Sequence, residues 1–214
     1  MDFPEVLSRG FNQIFQRPPS PAEADAFSRY LQLLLQWNRV QHLTSYRRPA
    51  DIVEKLFLDS LLFLQWVPPG RARVLDLGAG AGIPGLPLKI VKPEITLTLV
   101  EARRRRASFL TTVVRELALQ GVSVLAGRAE DLLEVDPGLR GAYDAVVTRA
   151  VGPLPSMLPL AMAFLRPGGR FIASGPPAGK PLPTLPRDTP HRWESVPAPA
   201  RVGKRLFLLV EKAN

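Results

Sequence analysis

Val74-Leu75-Asp76-Leu77-Gly78-Ala79-Gly80-Ala81-Gly82-Ile83-Pro84-Gly85 decides the fold. A short apolar run ends in a glycine-dense turn, and a helix-like stretch, Leu86 to Val91, follows it. A strand that turns through glycines into a helix is a nucleotide cradle. Glycine accepts φ > 0, so backbone N–H groups can close on a ligand, and the start of the helix favours negative charge. Glu101 ends the next strand-like run, Thr96 to Val100. An acid about 20 residues past such glycines suits a pair of ribose hydroxyls. The pattern predicts an adenosine-containing cofactor.

Outward from this turn the chain alternates. Strands are predicted at residues 73–77, 96–100, 122–126, 143–148 and 170–173, and helices at 83–91, 103–119, 129–133 and 155–165. Such alternation implies an α/β, Rossmann-like, doubly wound and mostly parallel sheet. Gly175 to Pro190 carries six prolines and reads as a loop. Two last strands, 192–196 and 205–211, can pair as an antiparallel hairpin at one sheet edge. Before the turn the pattern is helical. Ser20-Pro21-Ala22-Glu23 is a capping box, followed by Phe27, Tyr30, Leu31, Leu34 and Leu35 at helical spacing. A second helix is predicted from Ala50 to Trp66, stopping at Pro68-Pro69-Gly70. Residues 1–70 therefore read as a helical cap and 71–214 as the cofactor-binding domain.

A chain of 214 residues can bury a full core without disulfides or metals, and it has no cysteine. That removes thiol nucleophiles, zinc–thiolate sites and disulfides, and it fits a reducing, cytoplasmic setting. The longest apolar run, 56–67, is interrupted by Asp59 and Gln65 and falls short of the ~20 residues a membrane span needs. No membrane partner is expected. Lys and Arg number 28 against 19 Asp and Glu, a net charge of +9, which favours a polyanion such as RNA or DNA. A proline- and arginine-rich composition habit is the plain alternative.

Gly80-Ala81-Gly82-Ile83-Pro84-Gly85 also satisfies the dinucleotide fingerprint, so NAD and S-adenosylmethionine both remain open at this point. Three features favour the latter. Asp76 sits at the strand end, where a methionine-derived cofactor needs an acceptor. The terminal hairpin suits a methyltransferase sheet. Gly127-Arg128-Ala129-Glu130-Asp131 follows the third strand, where the Ala129 N–H and the Glu130 carboxylate can meet an adenine edge. An acidic first helical turn is the plain reading of Glu130-Asp131. Arg149 follows the fourth strand, at the edge where such sheets bind ligands, and suits a carboxylate or phosphate.

These residues together resemble the RsmG (GidB) family, which methylates N7 of a guanine in bacterial small-subunit ribosomal RNA. The similarity spans nearly the whole chain. It is carried by Trp37-Asn38, Leu43-Thr44-Ser45, Leu58-Asp59-Ser60-Leu61, the Asp76–Gly85 turn, Gly127-Arg128-Ala129-Glu130 and Thr148-Arg149-Ala150. The resemblance implies a class I methyltransferase fold and S-adenosylmethionine as cofactor, with Gly78, Gly80, Gly82, Ile83, Glu101, Ala129, Glu130 and Arg149 around it. It implies ribosomal RNA or a small-subunit particle as partner, and Asn38, Thr44 and Ser45 near the RNA; the sequence leaves the oligomeric state open, with a monomer favoured. Three positions depart from the family pattern: Leu56 stands for its histidine, His42 for its asparagine, and Ser174-Gly175 for its Lys-Gly. A non-catalytic RNA-binding relative and an NAD-dependent oxidoreductase are the alternatives.

Guanine N7 has a lone pair and no proton, so methyl transfer to it needs no general base. No catalytic acid, base or metal ligand is assigned; His42 and His191 are the only histidines. Arg103-Arg104-Arg105-Arg106 reads as a phosphate-contacting patch or a solvated helix face. Lys204-Arg205 and Arg47-Arg48 are smaller patches of the same kind.

Overall fold

The computed structural model describes residues 2–149, 154–176, 180–186, 189–200 and 203–213. The chain opens with a helix that the sequence reading left undefined, α1 (Phe3–Phe15), capped by Asp2, whose side chain accepts the Glu5 N–H at 3.1 Å. The expected capping box starts α2 (Pro21–Gln41). Ser20 Oγ takes the Glu23 N–H at 3.2 Å, Glu23 takes the Ser20 N–H at 2.7 Å, and Arg17 grips the same carboxylate.

The single helix expected over 50–66 is a helical stretch whose pitch changes. It runs as α3 (Pro49–Ile52), a π-helical segment (Val53–Leu58), α4 (Asp59–Leu61) and a 3₁₀ segment (Leu62–Gln65). Ile52, Val53, Phe57, Leu58, Ser60 and Leu61 are all fully buried, so this stretch is enclosed rather than amphipathic. Ser60 Oγ also donates to the Leu56 carbonyl at 2.6 Å and competes with the helical ladder there.

Seven strands form one sheet: β1 (Arg73–Leu77), β2 (Thr96–Glu101), β3 (Val122–Ala126), β4 (Tyr143–Thr148), β5 (Leu165–Ser174), β6 (His191–Pro197) and β7 (Lys204–Glu211). Their order is β3-β2-β1-β4-β5-β7-β6; the first five are parallel and β7 runs antiparallel to both its neighbours. The crossovers are α5 (Gly85–Val91), α6 (Arg104–Glu116), α7 (Ala129–Val135) and α8 (Leu154–Phe164). This is the expected α/β arrangement with its terminal hairpin.

The differences are at element ends. β5 starts at Leu165 rather than 170 because it pairs first through Leu165 with Tyr143, then slips to pair Arg170 with Ala145. α6 stops at Glu116 rather than 119, and Ala118 follows at φ +50°. α5 begins at Gly85 rather than 83, since the preceding residues are consumed by the turn. The proline-rich stretch 175–190 contains no helix or strand among its described residues.

Side chains of each strand alternate between two apolar clusters. Val74, Leu97, Leu99, Val147, Ile172 and Phe207 face the N-terminal helices, α5 and α6. Leu75, Leu77, Val100, Val146, Phe171 and Leu208 face α7 and α8. Residues 3–66 thus share a core with one face of the sheet. Phe57 stacks on Tyr30 at 4.8 Å, and Phe63 and Trp66 both meet Phe207 of β7, at 4.9 and 4.7 Å. No helix among the described residues is long and apolar enough to cross a membrane.

Candidate cofactor and RNA site

The glycine turn is stitched to β2 before any ligand arrives. Gly78 and Ala79 both donate N–H bonds of 2.9 Å to the Val100 carbonyl. Gly80 (φ +57°) donates to Glu101 Oε2 at 2.9 Å, and the other Glu101 oxygen takes the Arg103 N–H at 2.8 Å. Space above Gly80 is open: a side chain built there would meet nothing nearer than Arg106 Nη1 at 3.8 Å. Gly82 is different. Its φ is +85° and a Cβ would lie 2.8 Å from Leu86 Cγ and 2.9 Å from the Tyr30 hydroxyl. Gly82 therefore shapes the turn from below.

Over this turn lies a cleft of ≈ 510 Å³. Gly78, Gly80, Ile83, Glu101 and Arg149 line it, together with Arg103, Arg106 and Thr44. Five of the eight residues assigned to the cofactor converge there. Gly82 lies beneath the cleft, and Ala129 and Glu130 are absent from its lining. Ala129 is buried at the start of α7, and Glu130 is 55% exposed, 3.7 Å from Arg128. Leu43, Tyr46 and Leu56 complete the wall. Sequence reading did not place Leu43 or Tyr46 there; Leu43 stands in the Leu43-Thr44-Ser45 motif, whereas nothing in the local pattern marks Tyr46. Leu56, the departure from the family histidine, makes that part of the wall apolar.

Asp76 does not meet the cleft, in contrast to the sequence reading. It is fully buried, and its Oδ2 accepts the Gly85 N–H at 2.7 Å, while Oδ1 finds no donor among the described residues. Burial pushes this carboxyl up to about 7, with the Glu101 charge adding to the effect and the Gly85 N–H opposing it. Asp76 is a brace under the turn. Tyr30 assists from α2, donating its hydroxyl to the Ala81 carbonyl.

Arg149 reaches the cleft from the end of β4. Its Nη2 donates to the Lys55 carbonyl at 2.6 Å and stands 3.5 Å from Asp59 Oδ2. Arg205 is not turned outward as an RNA contact. Its Nε lies 2.9 Å from the same Asp59 oxygen, and its side chain is 18% exposed. Lys204 beside it is exposed.

A second hollow, of ≈ 900 Å³, adjoins the cleft and shares Thr44 with it. Asn38, Ser45, His42, Arg39 and Arg47 line it. Asn38 holds its loop in place: Oδ1 accepts the Thr44 N–H at 2.8 Å and Nδ2 donates to the Tyr46 carbonyl at 3.3 Å. The Asn38 and Thr44 of the sequence motif are thus joined directly. Beyond His42, Arg103, Arg104, Arg105 and Arg106 border a third depression. Some arginines elsewhere on the surface pair with nearby acids, as Arg48 does with Asp51 and Arg166 with Asp144. The run 103–106 makes no ion pair among the described residues, and no group of acids or histidines there could hold a metal ion.

Known proteins resemble this chain in sequence and in fold. Residues 23–175 match the GidB family model, described as rRNA small subunit methyltransferase G. A Desulfitobacterium hafniense protein named Ribosomal RNA small subunit methyltransferase G is 41% identical over 170 residues, 79% of this chain and 70% of its own length. A Sorangium cellulosum protein of the same name is 47% identical over 145 residues, 67% of this chain and 60% of its own length. In fold, the chain is similar to the O-methyltransferase TomG from Streptomyces achromogenes, solved with SAM (TM-score 0.60, 18% identity, 100% of both chains). It is also similar to a SAM-dependent methyltransferase from Aquifex aeolicus (TM-score 0.53, 15% identity, 75% of this chain and 92% of the other). The sheet order and the glycine cleft define a Rossmann-like methyltransferase fold. Within that class, the chain belongs to the GidB family of small-subunit ribosomal RNA methyltransferases.

Proposed function

We propose that this protein transfers a methyl group from S-adenosylmethionine to N7 of a guanine in small-subunit ribosomal RNA, acting in the cytoplasm as a monomer. One observation carries the reading: the glycine turn, Glu101 and Arg149 share a single cleft that meets an arginine-bordered hollow at Thr44. The donor set fits the cofactor. Glu101 offers carboxylate oxygens at the depth where ribose hydroxyls would sit. The open surface over Gly80 admits close approach, and Arg149 offers a guanidinium to the amino-acid carboxylate. Gly78 and Ile83 form the cleft floor, with Gly82 setting the turn. Ala129 and Glu130, outside the cleft lining, would hold the adenine edge of the bound cofactor. Residues 71–214 hold the cofactor, and 1–70 cover it and supply the adjoining hollow.

When bound, S-adenosylmethionine supplies an electrophilic methyl on sulfonium. The attacking N7 carries a free lone pair and loses no proton, so the chain's task is alignment and exclusion of water. Leu43, Leu56 and Ile83 make part of the cleft wall apolar. Asn38, Thr44 and Ser45 shape the entry for the base, with Arg103–Arg106 and Lys204 on phosphates.

Calorimetry with S-adenosylmethionine, S-adenosylhomocysteine and NAD tests the cofactor; binding of NAD alone would end this reading. Methyl transfer to unmodified small subunits and to naked ribosomal RNA tests the substrate. Leu56 in the cleft wall and His42 in the hollow motivate one second reading, a cofactor-binding relative that holds RNA without methylating it. Donor binding with no transfer to either substrate would select it.

A further inference from the structure

Four arginines lead into α6, but only two of them reach the cofactor cleft. Arg103 and Arg106, three positions apart and so on one side of a helix, line both the cleft and the neighbouring depression. Arg104 and Arg105 line the depression alone, with Val40, Gln41 and His42. Arg103 is exposed and Arg106 half-buried, and neither side chain makes a hydrogen bond or ion pair with a described residue. Arg106 also overhangs the glycine turn: its Nη1 is the nearest atom that a Cβ on Gly80 would meet, at 3.8 Å. Among the described residues that line the cleft, Glu101 is the single acid, and each of its oxygens accepts a backbone N–H. Arg149, the third cation there, is engaged by Asp59 and the Lys55 carbonyl.

We propose that Arg106, with Arg103 beside it, couples the two substrates: RNA phosphates drawn to the arginine run strengthen binding of the cationic methyl donor. This rests on the reading of the cleft as the donor site and of the run as a phosphate contact. S-adenosylmethionine has a sulfonium, an ammonium and a carboxylate, and so one net positive charge. S-adenosylhomocysteine lacks the sulfonium and has none. In the protein alone the donor enters beside two guanidinium groups and one carboxylate, and like charge opposes it. A phosphate on Arg103 and Arg106 cancels that opposition from the side of the depression. The neutral product gains nothing comparable. Preference for fresh donor over spent product thus depends on RNA being docked. The coupling is reciprocal, so the donor strengthens RNA binding by the same factor.

Calorimetry on the full chain at low ionic strength tests this, with saturating oligouridylate as the probe, since it supplies phosphates and no guanine. In the wild type, oligouridylate is expected to strengthen S-adenosylmethionine about three- to tenfold and S-adenosylhomocysteine less than about twofold, and added salt to erase the difference. Arg106→Gln should bind S-adenosylmethionine more tightly without RNA and lose most of the gain with it. Arg106→Lys keeps a point charge and should keep most of the gain, which a merely structural role for the arginine would not allow. If Arg106→Gln does not fold, Arg103→Gln, at an exposed position, carries the same comparison with a smaller loss. An equal gain for both ligands, or none, overturns the proposal. So does an undiminished gain in Arg106→Gln, or a fall in donor affinity on adding oligouridylate, which would put RNA in the cleft itself. If neither S-adenosylmethionine nor S-adenosylhomocysteine binds the wild type, with or without RNA, the reading of the cleft falls instead.

Discussion

The turn after β1 and the turn after β3 are both nucleotide-binding motifs by sequence, yet they are built in opposite ways. The first is locked. Gly78, Ala79, Gly80 and Gly85 donate N–H bonds to Val100, Glu101 and Asp76, and the Tyr30 hydroxyl holds Ala81. The second touches its neighbour once, through the Gly127 N–H to the Glu101 carbonyl at 3.0 Å, and leaves Arg128 and Glu130 70% and 55% exposed. A site made this way has one rigid jaw and one adaptable jaw. Changes in the first should register in folding, and changes in the second in ligand affinity alone.

The largest contrast is expected at the glycines. Gly82→Ala puts a methyl against Leu86 and the Tyr30 hydroxyl at positive φ, and Gly85→Ala puts one 2.7 Å from Asp76 Oδ2 and 2.8 Å from Leu99 Cδ2. Each should cost about 3 kcal/mol or more in denaturant unfolding. Gly127→Ala meets only Leu132, at 3.4 Å, and should cost under about 1 kcal/mol. Equal losses at the two turns would break the comparison.

Next in size is the brace. The folded chain keeps the Asp76 proton up to about pH 7, whereas the unfolded chain releases it near 3.8. Between those values the folded state binds more protons, so stability falls as pH rises, by up to about 1.4 kcal/mol per unit, and levels off above. Asp144 and Glu23 are shifted down, each by an arginine partner and a backbone N–H, against the effect of burial. Their stabilisation is present above the ordinary carboxylate range and is lost only as pH falls below it. Unfolding of Asp76→Asn at pH 5 and pH 8 should therefore show a flatter dependence than wild type. An unchanged slope would remove the brace from the account.

Tyr30→Phe should destabilise by about 1–2 kcal/mol, because the Ala81 carbonyl loses its buried donor. Smallest is Glu130→Ala, expected to leave unfolding within about 0.5 kcal/mol of wild type while weakening S-adenosylhomocysteine about three- to tenfold. A folding defect there would sharpen the view of the second jaw by showing it is less free than its exposure implies.

What the chain declared in advance follows from how local each signal is. The glycine turn, the Ser20 capping box and the alternation of strands and helices are written in neighbouring residues, and all appear in the fold. Glu101 reached the cleft because strand-end position and spacing from the turn are both local. Asp76 was misplaced because its neighbours along the chain do not reveal that Gly85 turns back onto it. Tyr46 and Leu43 enter the cleft through a loop clamped by Asn38, and Arg205 turns inward because Asp59 lies opposite. Those encounters arise between residues up to 146 positions apart, as for Asp59 and Arg205, where periodicity carries no information. The irregular pitch over 49–65 was equally hidden, since a uniformly buried segment shows no face.

Phe207 is where Phe63 and Trp66 finish their packing, and it belongs to the last strand of the sheet. A ribosome releasing this protein therefore emits greasy helices long before the residue that seals them. Over that interval the nascent chain must shelter them in a provisional collapse or against a chaperone, and the wait is set by translation speed rather than by the chain's own rate of collapse.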